Sequence, residues 1–139
     1  MSTEDILRES DRLARAGDLH GAERTLRDAI AATPDDARLH FALGEFVSRL
    51  GYPSHAVDSF RAALRLQPQY PGAKRALARA SLEARRGQDA EATAREMIAE
   101  APSSDAWDIL SCALRQQDKL EESVAAGDEA VRIDVGSAS

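Results

Sequence analysis

Three histidines and one cysteine are the side chains best suited to bind a metal or to act as a nucleophile. His20, His40 and His55 lack the spacing of a zinc site, which needs at least three converging ligands. His20 falls at a turn, His55 on a solvent face and His40 among core positions. Cys112 has no histidine near it in sequence to serve as its base. A single cysteine also excludes an internal disulfide, which fits a reducing compartment. No G-x-S-x-G, H-E-x-x-H or glycine-rich phosphate loop occurs. The acidic pairs Asp35-Asp36 and Glu121-Glu122 stand where helices begin, and a carboxylate there answers the helix dipole. The chain is therefore read as non-enzymatic, with no catalytic residue, no cofactor and no metal expected.

The whole-chain balance points the same way. A net charge of −6 weighs against nucleic acid or an acidic membrane as partner. The opening MSTEDILRESDRL is acidic and amphipathic, unlike a signal peptide, and no apolar run is long enough to span a membrane. These features predict a cytoplasmic location. The excess of Arg over Lys and the abundance of Ala read as a GC-rich bacterial genome.

The elements that must position any functional side chain are helices. Pro34, Pro68 and Pro102 recur at one constant interval. Between the first two, Leu39, Leu43, Val47 and Leu50 recur at helical spacing, then Ala56, Val57, Phe60, Ala63 and Leu64 share one face. Gly51-Tyr52-Pro53 separates them. Glycine accepts the left-handed conformation that ends a helix, and proline suits the first position of the next. Gly44 and Ala56 are small where two antiparallel helices would approach.

Leu43-Gly44, Val47, Ala56, Phe60, Ala63 and Pro68 fall in phase with the signature of the tetratricopeptide repeat family, W-x2-L-G-x2-Y, A-x3-F, A and P. The interval between the prolines matches that family's period as well. The chain resembles that family over nearly its whole length. His40 takes the place of the Trp, which appears only as Trp107. The resemblance implies an all-α fold, a right-handed α-solenoid of antiparallel helix pairs, about eight helices in four repeats. They would form a single domain with repeats at about 3–36, 37–70, 71–103 and 104–135 and a flexible tail at 136–139. In the third repeat the turn glycine, Gly87, arrives two residues late, so either the first helix is longer or the turn differs. Alanine dominates that repeat's core. In the fourth, Asp118 and Glu121 have capping-box spacing. Val124, Ala130, Val131 and Ile133 are assigned to the last helix, and no polar capping helix follows.

In such arrays the first helix of each pair lines a concave groove that binds peptide segments. Carried onto this sequence, the groove positions are Glu4, Leu7, Arg8, Asp11 and Arg15, then Arg38, Phe41, Glu45 and Arg49. The later repeats give Arg75, Arg79 and Leu82, then Asp108, Ile109, Cys112 and Arg115. Phe41 lies off the core stripe of its helix, as an apolar anchor site would. The recurring arginines suit carboxylates, or else merely pair with Asp11, Glu45 and Asp108 on neighbouring helices. The Lys/Asn/Arg clamp with which some family members hold chaperone tails is not matched. Asp11 and Ala42 replace its asparagines, and Gly72 and Ala76 its basic pair.

The expected function is protein–protein interaction, with an acidic or mixed apolar–acidic partner segment in the groove. The rival expectation is self-association through the last helix, a homodimer made at Val124 and Val131, or docking onto a larger and enzymatic parent protein. A bacterial secretion chaperone, a third reading, has similar length and repeat content.

Overall fold

The computed structural model describes residues 1–137. Among them are eight helices and no strand: α1 (Thr3–Arg15), α2 (Leu19–Ala32), α3 (Ala37–Arg49), α4 (Pro53–Leu66), α5 (Ala73–Glu83), α6 (Gly87–Glu100), α7 (Ser104–Gln116) and α8 (Leu120–Ser137). The chain forms two compact units, Met1–Ala73 and Lys74–Ser139.

Most helix starts are written in the sequence. Ser2 caps α1 in a reciprocal capping box with Asp5. Asp18, Asp36 and Ser103 accept a backbone N–H at the starts of α2, α3 and α7. The first turn of α4 begins with Pro53 instead.

One turn joins the two helices of every repeat. Its left-handed residue is Gly17, Gly51, Arg85 and Asp118 in turn, following the interval of the prolines almost without deviation. In each, the N–H of the following residue reaches back five positions: Asp18 to Leu13, Tyr52 to Val47, Arg86 to Ser81 and Lys119 to Leu114, at 2.8–3.0 Å.

Two expectations are corrected by this turn. In the third repeat the turn backbone is unchanged, because Arg85 takes the left-handed position, and the first helix is not longer but shorter, 11 residues against 13 in the other repeats. Gly87 instead opens α6, where it is buried. In the fourth, Asp118 is the turn residue and not a cap. The first backbone bond of α8 runs from Ser123 N–H to the Lys119 carbonyl. A third correction concerns the tail, since α8 continues through Gly136 to Ser137. Positions 138 and 139, also assigned to a flexible tail, lie outside the described residues.

In the first unit α1 packs on α2, α2 on α3 and α3 on α4. Leu26, Leu39, Val47 and Val57 are fully buried, each contributing roughly 1.5–3 kcal/mol. In the second unit α6 packs on α7 and α7 on α8. Its core joins Ala78, Ala94, Ile109, Leu110, Leu114 and Ala126. One first-helix position is small in every repeat: Ser10, Gly44, Ala78 and Ser111, all buried. So is one second-helix position: Ala22, Ala56, Ala90 and Ser123. In the last repeat the two meet, Ser111 Oγ donating to the Ser123 carbonyl and Ser123 Oγ to the Ser111 carbonyl, both at 2.8 Å.

Candidate interaction faces

On the first unit, α1 and α3 carry the groove positions. Leu7 is half-buried, while Arg8, Asp11, Arg15, Arg38, Glu45 and Arg49 are exposed. Phe41 is half-buried and not isolated: its ring lies 5.4 Å from that of Phe60 and 4.9 Å from that of Tyr70. Phe41 is thus one part of an aromatic patch. Tyr70, half-buried in the segment after α4, completes it. Tyr70 carries no helical periodicity, and its only sequence signal is that it is aromatic. Burial pushes its phenol pKa up, with the nearby Arg38 charge opposing.

Arg8, Arg38 and Arg49 are engaged, chiefly with groups other than the partners expected. Arg8 meets Glu4 and Asp5 at 3.9 and 3.7 Å, and Arg38 meets Asp36 at 3.8 Å. The Arg49 guanidinium lies 5.4 Å from the centre of the Phe46 ring. Burial raises the Glu45 carboxyl pKa although the residue as a whole is exposed. Arg49 opposes the rise and Asp11 adds to it. Thr3 donates a hydrogen bond to Asp36, tying the starts of α1 and α3 together.

On the second unit, Arg75 and Arg79 both grip Asp105, at 2.5 and 2.8 Å, rather than Asp108. Burial alone would raise the Asp105 carboxyl pKa, yet the two guanidiniums bring it below its usual value. Lys74 pairs with Glu100 and, at 3.8 Å, with Glu96. Asp108 and Arg115 are exposed, and Cys112 is half-buried and free. Ile109 is 3% exposed and sits in the core, which corrects its assignment to the groove. It shares that core with Ala78 and Ala94. Leu82 packs against the same core.

Along α8, Ser123, Ala126 and Ala130 face inward. Val124 and Val131 are 64% and 62% exposed. A concavity of about 600 Å³, lined among others by Arg85, Arg86, Gln117 and Lys119, lies at the turn between α5 and α6 rather than on the groove positions.

The histidines hold no common site. His40 Nε2 is 2.8 Å from the Pro34 carbonyl oxygen, the His55 ring lies tilted with its centre 5.8 Å from that of Tyr52, and His20 stands 3.7 Å from Glu23. No cluster of three or more His, Cys, Asp or Glu able to hold a metal occurs among the described residues. No helix among them is long and apolar enough to cross a membrane.

Two family models, both described as tetratricopeptide repeat, match residues 7–71 and 51–111. Comparison with the curated proteins gives no match. Among solved structures, the chain is similar to MamA 41-end from Desulfovibrio magneticus RS-1, with 24% identity and a TM-score of 0.84. That match covers 94% of this chain and 75% of the other. It is also similar to MamA MSR-1 C2, with 17% identity and a TM-score of 0.88, covering 99% and 79%. An O-GlcNAc transferase mutant from Thermobaculum terrenum matches at 20% identity and a TM-score of 0.64, over 82% of this chain and 23% of that one. These likenesses show the fold, an all-α solenoid of antiparallel helix pairs.

Proposed function

Because the chain belongs to the tetratricopeptide repeat family, we propose that it is a protein-interaction scaffold whose four repeats act as one domain and hold a partner segment against the first-helix positions. One observation carries this reading, the Phe41–Tyr70 aromatic pair, half-buried at 4.9 Å and bordered by the exposed Arg38. An apolar partner side chain would cover the rings, and a neighbouring carboxylate would meet the guanidinium. Arg75 and Arg79 are held by Asp105 at 2.5 and 2.8 Å, more closely than Arg38 is by Asp36 at 3.8 Å, so the first unit carries most of the recognition. The role is non-catalytic, and a bacterial cytoplasm is the location proposed from composition.

Peptide display against the whole chain tests it. The selected peptides should combine an apolar residue with Asp or Glu. The Phe41→Ala/Arg38→Ala variant should bind them about tenfold or more weakly. Selected peptides that bind this variant as well as the parent chain would exclude the face.

The exposure of Val124 and Val131 favours a second reading, in which α8 is a self-association or docking surface. The transferase comparison supports docking within a longer protein, since the matching helices there make up 23% of an enzyme chain. Charged residues at both valines should then leave the protein monomeric in light scattering.

A further inference from the structure

The side of α8 turned away from its own repeat is apolar along its length. Leu120, Val124, Val131 and Val135 are 60%, 64%, 62% and 67% exposed. At 100° per residue they share one sector of about 60°, with Gly127 at its edge, and the stripe runs for about 22 Å.

The third repeat shows what this register meets inside the chain. Val124 corresponds to Glu91 and Val131 to Ile98, the same positions of the preceding repeat. Glu91 accepts hydrogen bonds from Gln117, the residue that follows α7, and from Lys119 in the turn beyond it. Ile98 packs against the core cluster that holds Ile109 and Leu110 of α7. Both positions therefore serve the first helix of the next repeat. On α8 they are open, and a single helix is the shape that fits them.

Charge chooses among helices. α8 carries Glu121, Glu122, Asp128, Glu129 and Asp134 against Arg132 alone, and Arg132 is held by Glu129 at 2.7 Å. By helical register Glu121 and Asp128 run along one flank of the stripe. A second copy would set two acidic helices face to face, whereas a basic helix would be drawn to the flank.

We propose that α8 docks an amphipathic helix of another protein, apolar along one side and lined with lysine or arginine along its edge. This rests on the docking reading above and names its occupant.

Two synthetic peptides of about 18 residues test it against the whole chain. Both carry leucines at the spacing of the α8 stripe, one with lysines at the flanks and one with glutamates. Fluorescence anisotropy should show the basic peptide binding about fivefold tighter or more at low salt, with the preference shrinking as salt rises. Val124→Gln/Val131→Gln should abolish binding, and Glu121→Lys/Asp128→Lys should reverse the preference. If both peptides bind alike and the valine changes abolish both, the surface stands and the basic partner is wrong. If neither peptide binds, the docking reading itself falls. A concentration-dependent dimer dispersed by the valine changes would assign the face to a second copy and overturn the proposal.

Discussion

The ring of Phe60 occupies the space beside Gly44 where any other residue would place its Cβ: an added carbon would fall 2.5 Å from the ring edge. The matching pair in the last repeat is Ser111 and Gly127, with the glycine on the other helix. There an added Cβ would sit 3.5 Å from Ser111 Oγ, an ordinary contact. The two repeats thus fill one contact in opposite ways, a large residue against none or a small one against none.

The same substitution should therefore act oppositely at the two sites. Gly44→Ala forces the Phe60 ring aside and is expected to cost about 1–3 kcal/mol, less the helix propensity gained. Because Phe60 touches Phe41, it should also weaken peptide capture by the first unit. Gly127→Ala meets no obstacle and should gain up to about 1 kcal/mol. Thermal melting of the two variants beside the parent chain checks both signs, and equal shifts would contradict the packing argument.

Arg85 holds a φ of 62° in the turn where Gly17 and Gly51 stand in the first two repeats. The left-handed region costs a side-chain-bearing residue roughly 1–2 kcal/mol, while glycine adds its own entropic cost of roughly 0.5–1 kcal/mol. Arg85→Gly should accordingly stabilise the second unit by about 0.5–1 kcal/mol. Gly87→Ala should do the reverse, since its Cβ would lie 3.0 Å from the Ala113 carbonyl oxygen and 3.1 Å from carbons of Gln116 and Gln117. Urea unfolding of the two variants separates a turn glycine from a packing glycine.

Glu91 should govern part of the acid limb of stability. Its carboxyl pKa is lowered from 4.5 to about 2, first by the Gln117 amide and then by Arg95 and Lys119. A carboxyl whose folded pKa lies below its unfolded value contributes above the unfolded value and loses that contribution as pH falls through the folded one. The window here runs from about 4.5 down to about 2. Glu91→Gln should lower stability at pH 7, and its deficit against the parent chain should shrink as pH falls through the window. A deficit that stays constant from pH 7 to pH 2 would show that the charge is not involved.

Ser81 is 0% exposed, and its hydroxyl has no hydrogen-bond partner among the described residues. Its register counterparts are Val47 and Leu114. Ser81→Ala removes an unsatisfied group and should stabilise by about 1 kcal/mol in urea unfolding. A loss instead would mean that the hydroxyl is satisfied in solution.

Much of the architecture is legible in the sequence alone. The proline spacing, the apolar stripes around Leu43 and Phe60, and the Gly51-Tyr52-Pro53 break are local signals, because helix propensity, turn chemistry and 3.6-residue periodicity act over a few residues. They carried the helices, the repeat length and the small residues at Gly44 and Ala56. The candidate faces were legible only in outline. Arg8, Arg38 and Arg49 lie on exposed helix surfaces, but their companions carry no sequence signal, since Asp36 and Phe46 are chosen by side-chain reach rather than by position in a repeat.

Tertiary structure decided the rest. It moved the left-handed turn from the expected Gly87 to Arg85, because the backbone bond that closes the turn, Arg86 N–H to the Ser81 carbonyl, outranks the preference of one residue. It drew Ile109 inward, into a core shared with Ala78 on α5 and Ala94 on α6, a contact between helices that no local pattern encodes. It joined Phe41 on α3 to Tyr70 beyond the far end of α4, a proximity that no local pattern encodes. It also turned Ser123, Ala126 and Ala130 inward and left Val124 and Val131 in solvent. A helix's own sequence proposes its apolar sides, and only its neighbours determine which one is covered.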